Sequence, residues 1–182
     1  MYQDLSEFKL YPNQRGKSAI YTQIWWLVQS TLFGCSPRFM YGWRRFLLRA
    51  FGAKVGKGVI VRPSARVTYP WRLELGDNVW IGDDVDLYNW SKISVLENAV
   101  ISQRSYLCTA THDYEDMAFK LTSKPIKVSE CAWVATDVFI APGVTIGCGA
   151  VVGARSSVFK DMPAGMICIG NPAQPIKKRV SL

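Results

Sequence analysis

From Val55 onward, branched apolar residues return at every sixth position. The first register is Val55, Val61, Val67; after Leu73-Glu74 it resumes at Leu75, Ile81, Leu87. After Ile93-Ser94 it runs Val95, Ile101, Leu107, and after a longer break Val128, Val134, Ile140, Ile146, Val152, Val158. All fifteen positions are Val, Ile or Leu, although these types fill only 42 of 182 places, so the recurrence is a built pattern. Four residues after each anchor the chain is small or β-branched, from Val59 and Ala65 to Ala150 and Ser156, with Trp71 and Met162 as the two exceptions. A period of six matches neither the 3.6 of a helix nor the 2 of a simple strand alternation. It predicts an all-β solenoid whose coil has three flat sides, with a bulky anchor filling the interior and a small residue inside near each corner. A β-sandwich of short strands would not keep so strict a spacing. The blocks 55–72, 75–92, 95–112, 128–145 and 146–163 give about five coils, and at ~4.8 Å per coil a column about 24 Å tall.

Ahead of the column, Ile20, Ile24, Leu27, Val28, Thr31 and Leu32 have helical spacing, with Gly34 and Pro37 as a stop. A second stretch, residues 39–51, sets Arg44, Arg45 and Arg49 among aromatics and leucines. The expected organisation is a helical, basic-aromatic capping segment over 1–54, a solenoid over 55–163 and a tail over 164–182. The solenoid is interrupted by a loop at 113–127. An open solenoid end needs a cover for its unpaired edge, and the two helices suit that task.

Charge sharpens this division. The chain carries 22 Lys and Arg against 14 Asp and Glu, a net +8. Between Phe8 and Leu73 there are twelve basic residues and no acid, so the remainder has 10 basic and 14 acidic residues and a net of −4. One end attracts anions, which adds to the cap a second expected role, as a surface resting on an anionic membrane. No nucleic-acid recognition motif accompanies the charge. The most apolar run, residues 20–34, is too short to span a bilayer and contains Thr22, Gln23, Gln29 and Ser30. Residues 1–9 are mixed in charge with no cleavage signal, and the five cysteines (Cys35, Cys108, Cys131, Cys148, Cys168) are odd in number and scattered. Reduced thiols and a cytoplasmic setting, at the inner face of the membrane, are the expectation. No two cysteines form a C-x-x-C pair and there is one histidine, so no metal site is expected.

That histidine, His112, stands where the third coil gives way to the loop, and in the six-residue frame it follows an inward Thr111. Binding residues concentrate on loops held by a rigid scaffold. The run Leu107-Cys-Thr-Ala-Thr-His-Asp-Tyr114 resembles the stretch that carries the catalytic histidine in hexapeptide-repeat O-acetyltransferases. The run from Ala132 to Gly147, Val152-Gly-Ala-Arg-Ser-Ser-Val-Phe-Lys-Asp-Met-Pro163, and Gly170-Asn-Pro-Ala173 resemble the coils of that family that flank acetyl-CoA. With Phe51-Gly-Ala-Lys-Val-Gly56 and the aromatic-basic front, the chain resembles, over nearly its whole length, the branch concerned with colanic acid and related exopolysaccharides. It departs in having Val134-Ala135 where Ile-Gly is frequent, and Ala110-Thr111 before the histidine.

The resemblance implies a left-handed parallel β-helix, a homotrimer, and acetyl-CoA as co-substrate with no metal. It implies Thr136, Ala154, Phe159, Lys160 and Lys177 along the cofactor groove, and Asn89, Trp90 and Asp113 near the acceptor, a sugar or lipid-linked saccharide. A sugar hydroxyl attacking an acetyl thioester needs a base, and an imidazole ordinarily titrates in the right range; His112 is the expected one, acting by direct transfer. Cys108 as a covalent nucleophile is the rival chemistry. The alternatives in function are a non-catalytic trimeric scaffold at a membrane surface and an acyl-carrier-dependent sugar N-acyltransferase. A zinc enzyme on this solenoid would require three histidines and is excluded by the count of one.

Overall fold

The computed structural model describes residues 3–9 and 14–180; residues 1–2 and 10–13 of the capping segment and 181–182 of the tail lie outside the described residues. The chain from Lys54 onward is a left-handed parallel β-helix of three sheets, one for each side of a triangular prism. Side 1 stacks Val55, Leu75, Val95, Val128 and Ile146 in register. Side 2 stacks Val61, Ile81, Ile101, Val134, Val152 and then Cys168. Side 3 stacks Val67, Leu87, Leu107, Ile140 and Val158. All the anchors are buried except Val55, which lies half-buried on the first coil.

Two differences from the six-residue count have clear causes. The residues Leu73 and Ile93 widen side 1: Leu73, Ile93 and Ile126 align in register and are buried as a second interior column. The column also continues past residue 163. Met162 bridges Ile146, and Met166–Gly170 pairs with Val151–Val152 as a sixth, partial turn before Ala173–Lys178 folds back antiparallel. Cys168 takes the anchor position there, which a search for Val, Ile and Leu passes over.

Close stacking restricts what can follow an anchor. A Cβ on Gly82 would sit 2.7 Å from the Gln103 nitrogen of the next coil, closer than real atoms approach. The corners between sides 1 and 2 turn through left-handed residues, including Asn78, Asn98 and Cys131, and those between sides 2 and 3 through Asp84, Arg104, Asp137 and Arg155. Asn and Asp tolerate that region better than most residues, because their short polar side chains can bond locally.

Hydrogen bonding gives the column a direction. The N–H groups of Gly56, Ile60, Arg62 and Thr68 donate to the carbonyls of Leu75, Val79, Ile81 and Leu87 on the coil above. Carbonyls therefore point toward the N-terminal end, and those of Val55, Val59, Val61 and Val67 have no coil beneath them. Two helices supply donors instead. Helix α1 spans Ala19–Val28 and runs on through a wider turn at Gln29–Phe33; α2 spans Tyr41–Ala50. Trp25 Nε1 donates to Val67 O (2.8 Å) and Trp26 Nε1 to Thr68 O (3.2 Å), while Gln29 Oε1 accepts from Val67 N. Arg44 Nε donates to Val61 O (2.7 Å), Arg45 Nη1 to Val59 O (2.8 Å), and Arg49 to Val55 O and Gly56 O. Arg44 is fully buried and also donates to Ser36 Oγ, Pro37 O and Arg38 O.

A second side-chain device holds the corner between sides 3 and 1. Asn89 is fully buried; its Oδ1 accepts from Tyr69 N (2.8 Å) and its Nδ2 donates to Tyr69 O (2.7 Å). Thr109, one coil higher, donates to Tyr88 O and accepts from Ser91 N.

Replacing Arg44 with Ala takes the side-chain donor from the buried Val61 O and from Arg38 O, while Pro37 O keeps the Met40 N–H; it should cost about 3 kcal/mol of folding free energy, against less than about 1 kcal/mol for the exposed Arg49→Ala. Asn89→Ala should cost about 2 kcal/mol, since it orphans the buried Tyr69 N–H and leaves Tyr69 O with the Arg72 N–H as its remaining donor. Equilibrium urea unfolding checks all three; equal losses for the two arginine variants would contradict the account.

Candidate active site

The third coil ends at Thr109, three residues earlier than the six-residue frame implies. With Thr109 tied to Tyr88 and Ser91, the chain leaves the prism at Ala110 and forms a hairpin. Ala110–His112 pairs antiparallel with Leu121–Ser123, with His112 opposite Leu121. Thr111 is consequently exposed and not inward. The hairpin closes where Lys124 N donates to Thr109 O and Ile126 N to Lys92 O, which restores side 1.

His112 is half-buried on this hairpin. Its Nδ1 lies 2.7 Å from Phe119 O. A carbonyl can only accept, so Nδ1 carries the proton of the neutral ring, and Nε2 keeps the lone pair. The imidazole lies flat on the Phe119 ring (centroids 4.2 Å apart, planes within 6°), with Phe8 tilted against it at 5.7 Å. Phe119 has φ of +48°, a left-handed conformation unusual for an aromatic residue, and its N–H donates to Asp116 O. Sequence reasoning missed Phe119, since nothing local marks a residue whose contribution is a carbonyl and a ring face.

The acids of the loop build its turns. Asp113 Oδ1 accepts from Glu115 N (3.0 Å) and Asp116 Oδ1 from Ala118 N (2.8 Å); Asp116 also pairs with Lys120. Asp113 is exposed, and it is the Phe119 carbonyl that orients the imidazole. Asn89 has both kinds of polar atom engaged with Tyr69, so the residue expected near the acceptor is a buried corner support. Trp90 packs edge-on to Tyr69 at 5.4 Å, and its carbonyl accepts from Arg72. Cys108 directs its thiol to Ala110 O at 3.1 Å and is nearly buried, so the sulfur is engaged within the corner and not presented to a substrate.

A ladder of aromatic rings climbs the outer surface of side 3: Tyr88 to Tyr106 (6.1 Å), Tyr106 to Phe139 (5.8 Å), Phe139 to Phe159 (5.9 Å). Burial raises the pKa of Tyr88 and Tyr106, and likewise holds the Asp86 carboxyl above the usual range. Phe159 and Lys160 follow the top strand of this side, exposed, two coils above the His112 corner. Thr136 and Ala154 instead occupy the corner between sides 2 and 3; Thr136 donates to Gln103 O, and Ala154 is exposed. Lys177 is exposed on the final strand, paired with Ile167 on side 2. Within one chain these five residues do not meet around His112.

Side 2 carries a groove of about 740 Å³, lined by Trp80, Trp133, Tyr41, Arg62, Gln103 and Arg179. Both indoles are about half exposed, and Trp133 Nε1 donates to Ser102 Oγ. In a triangular section the corner from which the His112 hairpin departs is the one opposite side 2.

No protein-family model matches the chain. It is 56% identical over 178 residues, 98% of both chains, to a relative from Escherichia coli (strain K12) that carries the name colanic acid biosynthesis acetyltransferase WcaF, and equally to the protein of that name from Shigella flexneri. Among solved structures, a maltose O-acetyltransferase from Clostridium difficile 630 superposes with a TM-score of 0.83 at 27% identity, covering 97% of this chain and 95% of that one. A hexapeptide-repeat acetyltransferase from Vibrio cholerae, complexed with acetyl coenzyme A, gives 0.82 at 23% identity over 91% and 92%. By sequence identity along its full length and by its stacked six-residue coils, the chain belongs to the hexapeptide-repeat acetyltransferases of colanic acid biosynthesis.

Proposed function

We propose that the protein transfers an acetyl group from acetyl-CoA to a hydroxyl of a saccharide, free or lipid-linked, with His112 as general base. The observation that carries this reading is the fixed tautomer: Nδ1–H is held by Phe119 O, which leaves Nε2 as the ring nitrogen with the lone pair. Acetyl-CoA supplies an acetyl thioester, already activated toward an alcohol. Nε2 accepts the hydroxyl proton as the oxygen–carbon bond forms and the carbon–sulfur bond breaks, and the same proton then passes to the departing thiolate, so that the ring ends neutral. The flat contact with Phe119 fixes the direction of Nε2 during both transfers.

The residues for the cofactor fit this reading when copies associate. Thr136 and Ala154 line one corner, while Phe159 and Lys160 flank another, with exposed faces that a pantetheine arm can follow. Lys160 and Lys177, both exposed, suit the CoA phosphates. A homotrimer sets the His112 corner of one copy beside the Trp80–Trp133 groove of its neighbour, and so completes a cleft that one prism cannot form. The apolar outer surface of side 2 and the aromatic ladder of side 3, against a polar side 1 bearing Lys54, Glu74, Ser94 and Lys127, support this pairing of two unlike faces.

His112→Ala should lower turnover by at least ~10²-fold, with acetyl-CoA binding retained by calorimetry. Thiol release in the presence of glycan acceptors measures it, and near-normal turnover would remove His112 from the role. Phe119→Ala takes away the ring under the imidazole but leaves the backbone acceptor; kcat should fall by about tenfold with little change in the KM for acetyl-CoA. A change confined to KM would contradict a positioning role.

A further inference from the structure

Helix α1 is amphipathic in an inverted sense. Toward the column it presents Thr22, Trp25, Gln29 and Phe33, including the donors and the acceptor that meet Val67. Away from the column it presents Ile20, Ile24 and Leu27, spaced on one stripe and 74%, 48% and 65% exposed, with Leu32 beyond them. A helix packed on a core ordinarily turns its aliphatic stripe inward and its polar face to water. Here the inward side combines core aromatics, Trp25 and Phe33, with the hydrogen-bonding groups that meet the open edge, and the aliphatic stripe is left outside.

The neighbouring segment extends the same surface. Phe39 is 78% exposed, Phe46 is exposed and stacked on Trp43 at 5.7 Å, and Trp43 Nε1 donates to Leu32 O. Between the helices a shallow apolar groove of about 390 Å³ is lined by Leu32, Cys35, Pro37, Met40 and Trp43. Around this end plate stand exposed cations, Lys17 two residues before α1, Arg49 on α2, and Lys54, Lys57 and Arg66 on the first coil. No acid occurs between residues 8 and 73. On the second coil Asp83 pairs with Arg38 and Arg62, Glu74 and Asp86 act on Lys54 and Arg66, and Asp77 accepts from Lys57 N, yet the plate's cations outnumber these acids. Among the described residues no helix is long and apolar enough to cross a membrane, so the contact that suits the plate is with a surface.

We propose that the outer face of α1 and the aromatic corner of Phe39, Trp43 and Phe46 seat on an anionic phospholipid bilayer. The aliphatic stripe then lies at the headgroup–acyl boundary, and the rim of cations meets the lipid phosphates. Aliphatic insertion combined with anionic attraction is the physical recipe of a peripheral amphipathic helix. The proposal goes beyond the acetyl-transfer reading and does not depend on it.

Flotation of the full-length protein with vesicles of 30% phosphatidylglycerol in phosphatidylcholine, against pure phosphatidylcholine, tests it. Binding to the anionic vesicles only, weakened by raising the salt to ~0.5 M, is the expected result. The double variant Ile24→Asp/Leu27→Asp should reduce partitioning at least ~10-fold, since each replaced side chain loses its apolar burial. Lys17→Glu/Lys57→Glu should reduce it through charge, without touching the stripe. Both sites are exposed, and unfolding curves together with thiol release from acetyl-CoA on a soluble acceptor show that the variants remain intact. Absence of vesicle binding, equal binding to neutral vesicles, or unchanged binding of the aspartate variant overturns the proposal. A fall in molar mass by light scattering for that variant also overturns it, by showing the stripe to be covered by another copy. Normal thiol release without vesicle binding sinks this membrane face alone; loss of thiol release with vesicle binding intact sinks only the enzymatic reading.

Discussion

Every coil of this column hangs from the next by backbone hydrogen bonds that run in one direction, and that direction ends in a ring of carbonyls at the first coil. In water such an edge could be solvated. In a column that begins with a packed end it must be met by donors, since an unpaired buried carbonyl costs a sizeable fraction of the net stability of a domain. The amino-acid choice before residue 54 follows. Arginine offers several donors on one planar group and no acceptor, and the tryptophan indole offers a donor and no acceptor. An acidic residue would add acceptors to an end already lined with them. The basic first third of the sequence is thus in good part a hydrogen-bonding requirement, with Arg44, Arg45 and Arg49 lying against Val61, Val59 and Val55.

The regular part of the structure was legible because its cause is periodic. Each anchor repeats the same environment, so one rule read fifteen times recovers the three sheets and their register. The same rule loses its grip where tertiary bonding intervenes. Thr109 and Asn89 occupy equivalent corners one coil apart, and both use their side chains to satisfy the backbone of the neighbouring coil. After Asn89 the chain continues into side 1, whereas after Thr109 it leaves the prism, and no count of sixes contains that difference. Cys168 shows the converse error, an anchor disguised by residue type, which hid the sixth turn.

For the site, the sequence singled out the one imidazole and the loop that carries it, because the chain has no other such side chain and few breaks in its pattern. The resemblance placed Asp113 near the acceptor, and Asp116 follows it three residues on. In the folded hairpin the carboxylates of Asp113 and Asp116 turn back on the amides of Glu115 and Ala118, a preference of Asp in short loops that competes with any longer-range role. The partner that holds His112 is a main-chain carbonyl seven residues away, a type of contact invisible to any reading of side-chain identity.

A carbonyl orients an imidazole differently from a carboxylate. It fixes the tautomer and the ring plane without setting a full negative charge beside the ring. The hairpin accepts a local cost for this arrangement. Phe119 sits at φ +48°, where an L-residue with a bulky side chain is strained by about 1–2 kcal/mol. The same conformation directs the Phe119 carbonyl at Nδ1 and its own ring under the imidazole, while its N–H is held by Asp116 O and the strand pairing of Ala110–His112 with Leu121–Ser123 closes the hairpin around it. Strain at a single residue, over-determined by the hairpin, is what converts an otherwise ordinary loop histidine into a ring with one free basic nitrogen and a fixed aim.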